Sequence, residues 1–342
     1  MFLRSLLLLF GVGFFLNGAL AQNDQLPQRT ALFEYRMSFQ QDSISYLLSS
    51  GGRDSDPRKL VLFLQGSQPF PLFIEQPNGA YAATFPADYY PYWEDYYFCI
   101  LPKPAIPIVA KQEELTPDGL YLDPATKQLS QAYQDRNYLE YYVERATAVL
   151  EQLAKTRELD DIIVIGGSEG ARVGTSLARN CPLVTHFVYY SADPLGRFYQ
   201  LLSAERRAWR KGEKTGEEVE ASIEALYAEW REMNADPLSV ETTTGDTNRA
   251  WVSFSTSVVD ELLQLEIPVL VAHGTADDSI TNMDYLRLEA IRQQRENVEF
   301  RVYVDHDHQL NKLVRNAEGK VVSREYVFDQ IYREWLQWAE KH

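Results

Sequence analysis

Two periods alternate along this chain. Short apolar runs bounded by turn residues predict strands at 33–39, 43–48, 59–64, 96–101, 162–165, 184–190, 267–272 and 298–304. Between them, apolar positions three and four apart predict helices. In the stretch 137–155 the face is Tyr138, Tyr141, Tyr142, Ala146, Val149 and Leu153. After Ser168 it is Ala171, Val173, Leu177 and Ala178, and further helices are expected at 258–265, 283–295 and 326–340. Ile162 to Ile165 is a continuous β-branched run, as a strand covered on both faces requires.

Strands alternating with helices imply a mostly parallel central sheet with helices on both faces, so the chain is read as α/β. Two stretches break the alternation. Residues 65–91 are rich in Pro, Gly and Tyr and are expected as a long functional loop, and Gly51-Gly52-Arg53-Asp54 as a short one. Residues 197–233 are charged and helical, broken around 212–216, with Leu226, Tyr227 and Trp230 on one face. A polar loop at 237–248 follows, and together they predict a helical cap inserted over the carboxyl ends of the strands. Phe198, Tyr199, Trp209, Tyr227 and Trp230, with Trp251 and Phe254 beyond, either roof an acyl pocket or pack the cap's own small core. The expected division is a leader at 1–21, a core at 22–196, the cap at 197–248, and the rest of the core at 249–342. No repeat or low-complexity tract occurs.

The N-terminus changes the picture. Arg4, an apolar run from Leu6 to Leu16, and Ala19-Leu20-Ala21 make a signal peptide whose removal leaves Gln22 first. Secretion or periplasmic export is expected, with no stable membrane anchor. The net charge is −16, and such a surface repels nucleic acid and anionic lipid. The two cysteines, Cys99 and Cys181, are expected apart, as small buried residues.

The chemistry gathers at Gly166-Gly167-Ser168-Glu169-Gly170, between a predicted strand and a predicted helix. A serine at such an apex sits in strained backbone, and flanking glycines remove side chains that would collide with it. A serine needs a base, and the base an orienting carboxylate, following in the order serine, acid, histidine. Of the five histidines, His186 and His273 come too early and His342 is terminal. Asp305-His306-Asp307-His308 stands where the base belongs, so His306 and His308 are both candidates. Asp277, Asp278 and Asp193 are candidate acids; Asp193 also suits a helix start near Leu195. A metal reading of 305–308 lacks a further ligand cluster.

Gly274-Thr275-Ala276-Asp277-Asp278-Ser279-Ile280, with the serine turn and Asp305-His306-Asp307-His308-Gln309-Leu310, resembles the α/β-hydrolase superfamily. The likeness is to its prolyl oligopeptidase and dienelactone hydrolase-like branch. It implies an α/β-hydrolase fold with Ser168 as nucleophile, Asp277 as acid and His308 as base. It also implies an oxyanion hole from the amides of Glu169 and Ser67, with Gln68 as the alternative second donor, and no cofactor or metal. Gln65-Gly66 stands where relatives often carry His-Gly. Peptidases of that branch carry a large domain before the catalytic one, for which 342 residues leave no room. The expected reaction is therefore hydrolysis of a carboxylic ester on a small or medium acyl substrate. A serine peptidase and a non-catalytic binding protein are the alternatives.

Overall fold

The computed structural model describes residues 32–40, 42–49, 58–85, 92, 94–242 and 245–342. The expected leader, its cleavage site, the loop at 51–54 and the end of the 65–91 stretch lie outside the described residues.

The strands are β1 (Leu32–Phe39), β2 (Asp42–Ser49), β3 (Lys59–Leu64), β4 (Phe73–Glu75), β5 (Tyr81–Ala83), β6 (Tyr96–Ile100), β7 (Val109–Lys111), β8 (Asp161–Gly167), β9 (His186–Tyr190), β10 (Val269–Gly274), β11 (Val298–Tyr303), β12 (Lys312–Arg315) and β13 (Val321–Glu325). The main helices are α1 (Leu139–Thr156), α2 (Glu169–Asn180), α3 (Arg197–Arg210), α4 (Gly216–Ala235), α5 (Asn248–Ser253), α6 (Val259–Leu263), α7 (Ile280–Arg292) and α8 (Phe328–Ala339). Eight strands form one sheet in the order β1-β2-β6-β3-β8-β9-β10-β11. β1, β2 and β6 pair antiparallel; from β6 to β11 every pairing is parallel.

The period-2 pattern explains why both faces are covered. In β3, Leu60, Leu62 and Leu64 join a core with residues of α1, α2, α6 and α7. The alternate Val61 and Phe63 join a second core with Phe328, Ile331 and Trp335 of α8. Burying both faces of a strand stabilises by roughly 1.5–3 kcal/mol per large apolar side chain. Parallel pairing also sets the carboxyl ends of β8, β9, β10 and β11 along one rim, where ligands of such sheets bind.

Three stretches differ from expectation. The long loop contains β4 and β5, which form a small three-stranded sheet with β7. Strands of three residues are too short to show a period. After 308 comes a hairpin, β12–β13. Its residues are mostly exposed, so no apolar alternation announced it.

The helices α3 and α4 fall on the predicted stretch, broken where expected. Phe198, Leu226, Met233 and Trp251 form a cluster of their own, with Trp230 beside it. The rings of Phe198 and Trp230 lie 4.6 Å apart, whereas Tyr199, Trp209 and Tyr227 are exposed. Phe198, Trp230 and Trp251 thus pack a small separate core, Tyr199, Trp209 and Tyr227 lie outside it, and Phe254 belongs to the main core and borders the pocket beside Ser168. Cys99 and Cys181 are free thiols, both buried. No helix among the described residues is long and apolar enough to cross a membrane.

Candidate active site

Ser168 sits between β8 and α2 at φ 54°, ψ −120°. A non-glycine residue there is strained by about 1–3 kcal/mol, and the surroundings must hold it. The neighbouring glycines explain how. A Cβ on Gly166 would stand 2.3 Å from the Gly170 carbonyl oxygen, and one on Gly170 would stand 2.3 Å from that of Leu64. The second contact ties the serine turn to the loop after β3. There Gly66 brings its backbone so close that a Cβ would lie 3.7 Å from the Ser168 Cβ. The Ser168 amide donates to the Tyr190 carbonyl at 3.1 Å, which anchors the apex to β9.

Asp277 and His308 meet. His308 Nδ1 donates to Asp277 Oδ2 at 2.9 Å. The other carboxylate oxygen accepts from the Ser279 amide at 3.0 Å and the Ser279 hydroxyl at 2.8 Å. Burial alone would raise the Asp277 carboxyl, but the hydrogen bond and charge of His308, helped by Ser279, bring it down to about 2. Burial works against a charged His308 too; the bond to Asp277 and its charge outweigh that and raise the imidazole above its ordinary value. With Nδ1 held, Nε2 is the nitrogen left to exchange a proton.

The rival candidates are engaged elsewhere. Asp278 pairs with Arg207 of α3 at 3.1 Å, half exposed. His306 Nδ1 bonds to the Val304 carbonyl at 2.7 Å. Asp193 is buried, with Oδ1 accepting from the Leu195 amide at 2.9 Å and Oδ2 from Asn282 at 2.7 Å. The acids flanking His308 shape its loop. Asp307 accepts from the amides of Gln309 and Asn311 and from Arg324 at 3.0 Å, and Asp305 from Arg315 at 3.1 Å. The unpredicted hairpin thus fastens the loop that carries His308.

Ser67, Ser168, Glu169, Arg172, Arg197 and Gln200 line one pocket, closed by Asp193 and Phe254. Among the described residues no backbone carbonyl accepts from the amides of Ser67 or Glu169. Both donors expected for an oxyanion hole therefore border the serine and are uncommitted. The pocket is mostly polar. Arg172 donates to the carbonyls of Thr256 and Asp193, the second at 2.8 Å. Arg197 pairs with Asp246 at 2.6 Å and stands 4.1 Å from the centre of the Trp251 ring. Its Nη1 is buried without a partner among the described residues.

Sequence reasoning missed Lys103. Its ammonium lies 2.5 Å from Glu169, with both side chains almost fully buried, and 4.5 Å from the centre of the Tyr142 ring. The one available signal was a lysine between two prolines, Pro102 and Pro104, just past an apolar strand. Glu169 follows the serine, so this ion pair braces the start of α2 from behind. Removing one partner of a buried pair leaves a bare charge and costs about 3–5 kcal/mol. Lys103→Met should therefore lower the denaturation midpoint sharply, and adding Glu169→Gln should restore most of it. A single variant as stable as the parent would show that the pair is not holding the turn.

Neither a protein-family model nor a curated protein sequence matches the chain. Solved structures do. A candidate dipeptidyl aminopeptidase IV from Bacteroides ovatus superposes over 91% of this chain with TM-score 0.53 at 11% identity. A candidate dienelactone hydrolase from Klebsiella pneumoniae superposes over 91% of this chain and 100% of its own, with TM-score 0.50 at 12% identity. The chain has the α/β-hydrolase fold. It spans 36% of the length of the Bacteroides protein. In α/β-hydrolases a serine on a strand-to-helix turn stands above the carboxyl rim of the sheet, and its partners follow later strands. Here Ser168 follows β8, Asp277 follows β10 and His308 follows β11.

Proposed function

We propose that this chain is a serine hydrolase that cleaves acyl compounds through an acyl-enzyme. The observation that carries the reading is the His308–Asp277 hydrogen bond at 2.9 Å, on the same rim as a serine held at φ 54°. In this reading Ser168 Oγ attacks the substrate carbonyl while His308 Nε2 takes its proton. Asp277 keeps the imidazole in the right tautomer and balances its charge. The amides of Glu169 and Ser67 bind the oxyanion, each donor contributing about 3–4 kcal/mol to the transition state. His308 then returns the proton to the leaving group, and water repeats the sequence to free the acid.

An amide or short peptide-like substrate fits better than a long-chain ester. An alkyl chain in the pocket beside Ser168 would bury Gln200 and the unpartnered Arg197 Nη1 against carbon, which costs free energy. A substrate with carbonyl groups would satisfy them. The likeness to a candidate dipeptidyl aminopeptidase IV agrees with this. A short-ester hydrolase is the second reading, favoured by the likeness over the full length of a candidate dienelactone hydrolase. Turnover of aminoacyl p-nitroanilides against p-nitrophenyl esters of short acids separates them. Hydrolysis of both, with the amides turned over by the same serine, is the expected result. Ester cleavage alone would favour the second reading, and neither would favour a binding role. Export is part of the proposal, resting on the N-terminal apolar run; N-terminal sequencing of the mature protein should begin at Gln22.

A further inference from the structure

The sheet ends at β11, and among the described residues no strand pairs with its outer edge. Natural edges are commonly blunted by a proline or a bulge. β11 reads Val-Glu-Phe-Arg-Val-Tyr and keeps an unbroken register against β10. Its apolar side is open in part: Val302 is 39% exposed, and Val304 just beyond it 68%. Arg287 of α7 lies over the Phe300 ring, and Ile291, one turn on from Arg287, is 67% exposed.

The backbone says which groups face out. The Val269 amide donates to the Asn297 carbonyl and the Thr275 amide to the Tyr303 carbonyl. In a parallel ladder alternate residues turn to the neighbour, so Glu299, Arg301 and Tyr303 bond inward. Phe300 and Val302 present their amides and carbonyls to the free edge, and Val298 its carbonyl, since the Val298 amide turns back to the Arg295 carbonyl at 3.4 Å.

We infer that β11 pairs antiparallel with β11 of a second copy across a two-fold axis at Phe300. Phe300 then exchanges two hydrogen bonds with Phe300 of the partner subunit, and the Val302 amide donates to the carbonyl of Val298 of the partner subunit. Glu299 falls opposite Arg301 of the partner subunit, twice, in the closely spaced non-bonded positions where cross-strand charges act most strongly. No neighbouring register does this. An axis at Glu299 or at Arg301 sets each against itself. An axis at Val298 sets Arg301 against Arg295, and one at Val302 sets Glu299 against Asp305. The charge pattern of the edge is self-complementary in one register only. It works at contact range despite a net charge of −16 per chain, because salt screens the long-range repulsion beyond about 8 Å at physiological ionic strength.

Sedimentation velocity of the full chain at physiological salt, over a concentration series, tests this. The parent should show a reversible dimer. Within each chain Arg301 already pairs with Glu299 at 2.5 Å, so each reversal breaks that pair as well. Arg301→Glu and Glu299→Arg should each weaken the dimer on the order of tenfold or more, by replacing two attractive cross-strand pairs with two repulsive ones. The double swap, Glu299→Arg with Arg301→Glu, should restore it. Val302→Pro removes an outward amide that β10 does not use, and should abolish the dimer while leaving the circular dichroism spectrum unchanged. A parent that is monomeric throughout, a dimer indifferent to the single reversals, or a double swap no tighter than the singles would each overturn the inference.

Discussion

Ser168→Ala is expected to lower turnover by about 10⁶-fold, the scale seen when a nucleophile that acts as one unit with its base is removed. The variant should fold with little change in stability. Alanine keeps the Cβ, and the contacts that hold the turn come from Gly166, Gly170 and the Tyr190 carbonyl rather than from the hydroxyl. Relief of strain is not expected either, since alanine at φ 54° is strained as serine is. Steady-state hydrolysis and a thermal melt on the same preparation check both halves. Parent-like turnover would remove Ser168 from the chemistry. Lost activity together with a lost transition would mean that the serine was structural.

Asp277→Asn carries the second largest expected effect, a fall of about 10⁴-fold in turnover. An asparagine amide turned towards Nδ1 favours the tautomer with the proton on Nε2, which is the nitrogen that must accept one. The pH profile separates this role from mere damage. The base must be neutral, so activity falls as pH drops through the His308 pKa. In the parent that pKa is raised by Asp277, so the acid limb of kcat/KM should lie above the ordinary imidazole value of 6.5. Asp277, brought down to about 2, stays ionised across this range. Removing its charge should move the limb to lower pH as the plateau falls. Asp278→Asn breaks only the half-exposed pair with Arg207, and should leave both limb and plateau near the parent. A limb that stays put in Asp277→Asn would mean that another group sets the His308 charge. His306→Ala should likewise be mild beside His308→Ala.

Much of the fold could be read from the residues because both periods were strong where burial was complete. β3 was expected and found at the same residues, and β8 and β10 lie within two or three residues of their predicted ends. Those strands are covered on both faces, so their apolar runs are continuous. The small sheet of β4, β5 and β7 escaped because three residues hold no period. The β12–β13 hairpin escaped because tertiary ion pairs to Asp305 and Asp307, not apolar alternation, hold it in place. At the site, Asp277 and His308, the pair that the family resemblance implied, come together. The rivals His306 and Asp278 differ from them only in what they touch, which no local pattern encodes. Lys103 was invisible for the same reason. It lies 66 positions from Glu169, and only the folded chain shows that a lysine after β6 reaches the residue behind the serine. Arg197 belongs with it, since burial of an arginine beside the pocket is a property of packing.

The most direct test is covalent. A fluorophosphonate probe reacts with a serine whose hydroxyl is activated by a base, and peptide mass spectrometry locates the adduct. A single adduct on Ser168, lost in Ser168→Ala and strongly slowed in His308→Ala, is the expected result. An unlabelled protein, or labelling that persists in Ser168→Ala, would contradict the assignment of Ser168 as nucleophile.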